Sequence, residues 1–292
     1  MEPQILEGKS AAEALRNTLV AEVARLGLVP RLVVFAPQGD EASAHYVRMI
    51  TRSGERCGIR VELRSFDATA PFTVLQAAVA AAGTDSSIHG IQIQKPLPRG
   101  GSANLALEGC EERDVEGLSP HHSGLLLAGR AQFVPCTALA LWRLLQWHGI
   151  AIDGRRAVII GRSDIVGAPL ATLLQQSGAT VTMLHTRTRN PRELITQAEI
   201  LVSAAGQRDV CAPDDIALGA VLADVGHHVL PDGSVSGDFS AQHCARASAF
   251  TPVPGGVGPL TTMCLLESVL RAAALQAGMA TVVADPRRTL RS

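Results

Sequence analysis

The chain is nearly devoid of lysine. Of 26 basic side chains in 292 residues, only Lys9 and Lys95 are lysines, and the rest are arginines. A drift towards arginine explains the surface positions and singles out the two that remain, because lysine can lose its proton in a suitable site and arginine effectively cannot. Aromatic residues are scarce too, and Tyr46 is the sole tyrosine. The six cysteines are scattered without a CxxC pair, which argues against a zinc site or a disulfide scaffold and favours reduced thiols in a cytoplasmic protein. A net charge of −1 gives no support to a nucleic-acid or membrane-surface partner. No apolar run reaches the ~18 residues of a membrane span. The opening "MEPQILEGKS" lacks the basic-then-apolar pattern of a signal peptide.

What is present fits a globular α/β chain. At 292 residues it is long for one core, so two domains are expected. Helical apolar spacing predicts helices over 10–27, with Ser10 as a candidate N-cap, and over 40–58, with acids at the start and Gly58 at the end. Between and after them, "PRLVVFAP", "IRVELRSF" and "IHGIQIQ" read as strands, with a helix over "PFTVLQAAVAAAG". Strands separated by helices imply βαβ units and a mostly parallel sheet. A helix over 134–150 follows, and then the rhythm restarts with "RAVIIGRSDIVGAPLATLLQQSG" as strand, loop and helix. A long final helix is expected over 259–278.

Two loops carry chemistry. In "VIIGRSDIVGAPLATLL", Gly161 allows a tight turn, Gly167 permits close backbone approach, and Pro169 fits the first helical turn. A helix N-terminus after a strand suits a phosphate. The spacing is G-x5-G and not the general dinucleotide fingerprint, so on these residues alone nucleotide binding is favoured only modestly over an ordinary βα turn. After the next strand, "HTRTRN" places Thr186, Arg187 and Arg189 where a ribose would lie. An acid there suits the 2′-hydroxyl of NAD, and arginine suits the 2′-phosphate of NADP; no acid is present. "FTPVPGGVGPLTT" reads as a rigid loop, too rich in proline and glycine for a helix interior or a central strand.

Taken together and in order, "ASAHYV", "QKPLP", "DVEG", "PCT", "GRSDIVGAP" and "TPVPGGVGPLT" resemble the bifunctional methylenetetrahydrofolate dehydrogenase/cyclohydrolase family, from about residue 4 to about residue 278. The resemblance implies an N-terminal α/β folate domain (1–139), a C-terminal Rossmann-type NADP domain (140–265), a helix returning to the first domain (266–280) and a tail (281–292), with the folate cleft between the domains and a homodimer. It implies that Tyr46 stacks on a tetrahydrofolate derivative and that Gln94 lies beside the reacting carbon. Glu116 stands where the family carries an aspartate that binds the pterin ring, and Pro254, Gly255 and Gly256 complete the substrate loop. Cofactor contacts are implied for Thr137, Gly161, Arg162, Ser163, Val166, Gly167, Thr186, Arg187 and Gly256. No metal is implied. His227 and His228, after "ADVG", are expected in a cofactor loop or in solvent.

The sequence departs from the family at the residue that matters for hydration. The family has a lysine four positions after the tyrosine; here that residue is Ile50, which can neither take nor give a proton. Where the family usually reads "QLPLP", this chain reads "QKPLP", so a lysine appears beside Gln94. Either hydration has been lost or Lys95 has taken it over. Strand alternation points Gln94 and Lys95 to opposite faces and favours loss. The expected activity is NADP-dependent oxidation of 5,10-methylenetetrahydrofolate with weak or absent cyclohydrolase. The alternatives are a bifunctional enzyme using Lys95, with Tyr46 and Gln94, or a non-catalytic folate- or nucleotide-binding homologue.

Overall fold

The computed structural model describes residues 2–283, 285, 286 and 290. Of the tail expected at 281–292, residues 284, 287–289, 291 and 292 lie outside these. In chain order the elements of the first half are β1 (Gln4–Ile5), α1 (Lys9–Leu26), β2 (Arg31–Pro37), α2 (Glu41–Cys57), β3 (Arg60–Phe66), α3 (Phe72–Thr84), β4 (Gly90–Ile93), α4 (Ala103–Ala106) and α5 (Pro120–Leu127). There follow α6 (Cys136–Trp147), β5 (Arg156–Ile160), α7 (Gly167–Gln176), β6 (Thr180–Leu184), α8 (Pro191–Ile195), β7 (Ile200–Ser203) and β8 (Val221–Asp224). The last are β9 (His228–Val229), β10 (Val235–Ser236), α9 (Ala241–Cys244), β11 (Ala249–Phe250) and α10 (Val257–Gln276). The chain divides into two compact units.

One unit comprises residues 14–134 and 262–288 and holds a three-stranded parallel sheet in the order β3-β2-β4. The central strand β2 is buried along almost its whole length, as the apolar run "LVVFAP" demands of a strand covered on both faces. Helix α2 is well delimited. Asp40 caps it by accepting the Ser43 N–H at 2.7 Å, and Gly58 ends it in the left-handed region at φ 74°. Its buried stripe is Ser43, Val47, Ile50, Gly54 and Cys57, the three-four spacing of a helix packed on a sheet. Within β4, an isolated parallel bridge pairs Ile91 with Asp114 and so brings the start of the segment 114–116 beside that strand.

The other unit comprises residues 2–13, 135–261 and 290 among those described and holds a six-stranded parallel sheet in the order β1-β11-β8-β7-β5-β6. Strand β5 lies between β6 and β7, so the chain order reverses there. In open α/β sheets such a reversal marks the crevice at the carboxyl ends of the strands where ligands bind. Val158, Leu184, Leu201, Leu222 and Phe239 belong to one apolar core in this unit. Strand β1, outside the sequence expectation, adds the first residues to this sheet beside β11. Ser10 is not the N-cap of α1, which begins one residue earlier; its hydroxyl accepts the Trp147 indole N–H at 3.1 Å. The residue before the helix is Gly8, and a Cβ there would lie 1.9 Å from the Gly256 carbonyl oxygen, so no side chain fits.

Ile50 is fully buried, with 0% exposure, within the packed stripe of α2. Ile50→Ala should lower the unfolding free energy by about 2–5 kcal/mol. Ile50→Lys should destabilise the protein as well, because an amine at that position must be desolvated or neutralised. Urea titration of the three proteins checks both; an Ile50→Lys variant as stable as the native chain would contradict this packing.

Candidate functional site

Two clusters hold the chemistry-bearing residues, one in each unit. In the three-stranded unit the cluster forms at the end of β4. Gln94 continues the strand by one residue, its N–H donating to the Phe35 carbonyl at 2.8 Å. Gln92 and Gln94 therefore share one face of the strand, and Lys95 lies in the bend just beyond it. Gln94 is half-buried and Lys95 exposed. The Ser43 hydroxyl donates to the Lys95 carbonyl at 2.9 Å and ties this corner to the first turn of α2. Tyr46, three residues further along that helix, is half-buried. No hydrogen bond joins the Lys95 amine to Gln94 among the described residues.

The "DVEG" segment owes its shape to Asp114. This carboxylate is fully buried and accepts the backbone N–H groups of Leu118 at 3.0 Å and Ser119 at 2.7 Å. Gly117 closes the turn at φ 64°, with a Cβ position only 2.6 Å from the Phe133 carbonyl oxygen. Glu116 is thereby presented beside β4. The residue keeps some exposure, yet its carboxyl group loses its hydration, and its pKa is raised to about 7. Burial is the largest cause; the polar Gln92 side chain opposes it, the Asp114 charge adds to it, and the Lys95 charge opposes it. Gln92 is only 3% exposed, and its Oε1 has no hydrogen-bond partner among the described residues. Gln92 is absent from the sequence expectation, although "IQIQ" places two polar side chains at period two in a buried strand, which is the signal that marks it.

In the six-stranded unit the cluster forms at the reversal point. Gly161 follows β5 at φ 121°, and a Cβ there would lie 2.3 Å from the Ala204 carbonyl oxygen at the end of β7. Gly167 opens α7, with its Cβ position 2.4 Å from the Gly161 carbonyl oxygen. Only glycine lets these segments cross, and the crossing leaves the α7 N-terminus facing the loop 161–166. Ser163 builds that loop: its hydroxyl accepts the N–H groups of Val166 at 3.2 Å and Gly167 at 3.4 Å. After β6, the His185 N–H donates to the Thr188 hydroxyl at 2.9 Å and the Arg187 N–H to His185 Nδ1 at 3.1 Å, forming a tight turn. Thr186, Arg187 and Arg189 are exposed on it, and Arg162 is exposed on the loop after β5. None of the three arginines is ion-paired among the described residues.

Elsewhere in this unit, Thr137 lies half-buried in the first turn of α6. Pro254 and Gly255 are exposed and Gly256 is buried, held by its N–H donating to the Pro252 carbonyl at 2.8 Å. His228 pairs through Nε2 with Asp238 at 2.7 Å, and Asp238 also accepts the Ser203 hydroxyl at 2.5 Å; His227 is exposed. Asp224 accepts the N–H groups of Gly226 at 2.7 Å and Phe239 at 2.8 Å, and burial raises its pKa against those bonds. These two carboxylates brace the ends of β7 and β8. Among the described residues no group of three His, Cys, Asp or Glu side chains could hold a metal ion.

A parallel sheet with a glycine crossing at its reversal point, an open helix N-terminus and unpaired arginines defines a Rossmann-type dinucleotide unit; with its companion α/β unit it makes a two-unit α/β enzyme of the dehydrogenase kind. Comparison narrows the class. Residues 6–116 match the model of the tetrahydrofolate dehydrogenase/cyclohydrolase catalytic domain, and residues 135–277 that of the family's NAD(P)-binding domain. The chain belongs to the tetrahydrofolate dehydrogenase/cyclohydrolase family. It is 40% identical over 278 residues to bifunctional protein FolD 1 of Rubrobacter xylanophilus, covering 94% of this chain and 98% of that one. It is 38% identical over 284 residues to the FolD protein of Dechloromonas aromatica, covering 96% and 100%. The crystal structure of FolD from Campylobacter jejuni superposes with a TM-score of 0.88 at 33% identity, over 93% of this chain and 99% of that one. The Trypanosoma brucei enzyme, solved with NADP and an inhibitor, gives 0.88 at 33% identity, over 95% and 99%. No helix among the described residues is long and apolar enough to cross a membrane.

The raised pKa of Glu116 links pH to stability. The folded chain holds the proton up to about pH 7, while the unfolded chain releases it near 4.5, so the stability this group contributes is fully present below 4.5 and is lost as pH rises to about 7. Glu116→Gln removes this loss. In denaturant melts it should gain about 1–3 kcal/mol on the native chain at pH 8 relative to pH 5. An equal difference between the two proteins at both pH values would show that Glu116 titrates normally.

Proposed function

We propose that the protein oxidises 5,10-methylenetetrahydrofolate to the 5,10-methenyl form with NADP, and that its hydration of the product is weak or lost. The observation that carries this reading is Ile50, fully buried and four residues after Tyr46 on α2. The two steps make different demands. Oxidation moves a hydride from the methylene carbon and leaves a cation, with no proton to place. NADP, when bound, supplies the hydride acceptor at the nicotinamide ring. The protein has to hold both partners in register, and misplacement is costly.

Hydration needs a group that takes a proton from water as oxygen attacks the methenyl carbon, and another proton must reach the departing ring nitrogen. General acid–base groups contribute about 10²–10⁴ in rate. Ile50 supplies none of that, and Arg48 and Arg52 lie on other faces of the helix and do not act as bases. In this reading Tyr46 stacks on the folate, Gln94 lies beside the reacting carbon, and Glu116 accepts N–H donors of the pterin ring. Arg162, Thr186 and Arg187 receive the 2′-phosphate, and Gly161, Ser163, Val166, Gly167, Thr137 and Gly256 shape the rest of the cofactor site; Pro254 and Gly255 line the substrate loop. A homodimer in the cytoplasm belongs to the same proposal, and light scattering checks the assembly state.

An assay following NADPH absorbance together with methenyl-folate decay tests the division of labour. NADPH should form in step with methylenetetrahydrofolate oxidised, while methenyl-folate decays at close to its uncatalysed rate. Rapid enzyme-dependent decay would overturn the hydration half of the proposal. Arg187→Ala should raise the KM for NADP much more than for NAD; a native enzyme that prefers NAD tenfold, about 1.4 kcal/mol, would refute the cofactor assignment. Tyr46→Ala should raise the KM for folate and slow oxidation, and Tyr46→Phe should do far less, since the ring face supplies the contact.

A further inference from the structure

Two histidines follow β8, and the structure separates them. His227 is exposed, whereas the His228 side chain is only 20% exposed and pairs through Nε2 with Asp238 Oδ1 at 2.7 Å. The Asp238 side chain has no exposure, and its Oδ2 accepts the Ser203 hydroxyl at 2.5 Å. The carboxyl group therefore lies between the histidine and the serine. In an acyl-transfer triad the histidine lies between the other two and takes the serine proton, so this order gives Ser203 no base and no nucleophilic role. What Asp238 holds instead is the loop after β7. Ser203 is the last residue of that strand, and the Asp209 N–H donates to the Asp238 carbonyl at 2.8 Å, so one residue grips both ends of the segment 204–208. That segment begins at the glycine crossing. The Ala204 N–H donates to the Ile160 carbonyl at 2.8 Å, and the Ala204 carbonyl oxygen lies 2.3 Å from the Cβ position of Gly161. The Gly161 carbonyl oxygen in turn lies 2.4 Å from the Cβ position of Gly167, where α7 begins. Backbone packed this closely leaves no slack, so a shift at Ser203 is passed to the start of α7.

We propose that His228 is a positioning residue for the dinucleotide: through Asp238 and Ser203 it fixes the Ala204–Gly161 crossing, and with it the backbone N–H groups that receive the pyrophosphate. The inference rests on the reading of that crossing and the α7 N-terminus as the pyrophosphate site of NADP. A carboxyl group with no exposure has no water at hand to replace a lost partner. Without the imidazole, Oδ1 is left unsatisfied, and the side chain turns or draws in water at the expense of its bond to Ser203. It has little room to settle elsewhere, because a Cβ on Gly226 would lie 2.2 Å from Oδ1 and the backbone already closes that side. The field of a helix N-terminus falls off within its first turn, so small displacements of these N–H groups weaken their hold on an anion. NADP and NAD share the pyrophosphate. The network therefore sets the affinity for both, whereas Arg162 and Arg187 address the 2′-phosphate that only NADP carries.

The test is calorimetry of NADP and of NAD binding, without folate, to native protein, His228→Leu, His228→Gln, Ser203→Ala and the double variant. His228→Leu should weaken NADP and NAD by the same factor, about five- to twentyfold, as expected for a buried hydrogen bond left unmade. His228→Gln, whose amide N–H can reach the same oxygen, should stay within about twofold of native. Ser203→Ala reaches the same carboxyl group from the other side and carries the test should the leucine variant fold poorly; it should weaken both dinucleotides by a similar factor. The double variant should lose much less than the product of the two single losses, because both act through Asp238. All the variants should keep native affinity for tetrahydrofolate, measured anaerobically, which a general loss of folding would not allow. The proposal is overturned if His228→Leu and Ser203→Ala bind as the native protein does, if the glutamine fails to rescue, or if the two losses multiply. It is also overturned if only NADP is affected or if tetrahydrofolate affinity falls in parallel. A native protein that binds neither dinucleotide would refute the cofactor reading together with this inference, whereas native binding that no variant disturbs would refute the inference alone.

Discussion

The acidic corner of the substrate unit depends on the buried carboxylate of Asp114 and the two backbone N–H groups it holds, those of Leu118 and Ser119. A buried charge without such partners would be strongly unfavourable. With them, the chain can leave the bridge at Ile91, turn tightly at Gly117 and present Glu116 beside the strand that carries Gln92 and Gln94. Every polar group proposed to meet the folate from this side takes its position from that turn or from the last residues of β4. The Asp114 charge also acts on Glu116, so the residue that builds the loop helps to set the acidity of the residue the loop displays.

The nucleotide unit relies on a different constraint, the absence of side chains. Gly161 and Gly167 let two loops cross over the end of β7 at a separation no Cβ would tolerate. The order around that crossing comes from oxygen atoms that accept backbone N–H groups, Ser163 at the start of α7 and Asp224 at the end of β8. The guanidinium groups of Arg162, Arg187 and Arg189 are left without ion-pair partners among the described residues. One unit thus offers a preformed carboxyl site and the other a preformed cation-rich site, and neither holds a general base at Ile50.

Much of this was legible in the sequence. The strands β2 to β8 and the helices α1, α2, α3, α6, α7 and α10 follow apolar spacing closely, because each buries one face or both against a sheet. The acidic start and the Gly58 end of α2 were readable from residue type alone, whereas the capping bond from Asp40 to Ser43 was not named. The short elements β1, β11, α8 and α9 were not, since a few residues carry no period and form only where the neighbouring strand or loop already stands. Ser10 misled because a serine before an apolar run also suits a helix interior when a tryptophan indole needs an acceptor. At the site, Tyr46, Gln94 and Glu116 were named by motif, and Gln92 was open to the period-two reading of "IQIQ", whereas the capping work of Asp114 was hidden: it lies in the backbone N–H groups the carboxylate accepts, which spacing does not encode.

The burial of Ile50 makes the change at that position directional in evolution. An isoleucine in a solvent-lined helix face could be exchanged for lysine and back with little consequence. Here the side chain is part of the packed stripe that joins α2 to its sheet. Neighbouring apolar residues can adjust to it over time, and each adjustment makes an amine at the same place harder to accommodate. Since folded proteins are stable by only about 5–15 kcal/mol, a lineage that has packed isoleucine here would have to pass through poorly folded intermediates to place a lysine at this position. Packing of this kind works as a ratchet: a polar or charged function at residue 50 is more readily gained by a new group elsewhere than by reversing the substitution in place.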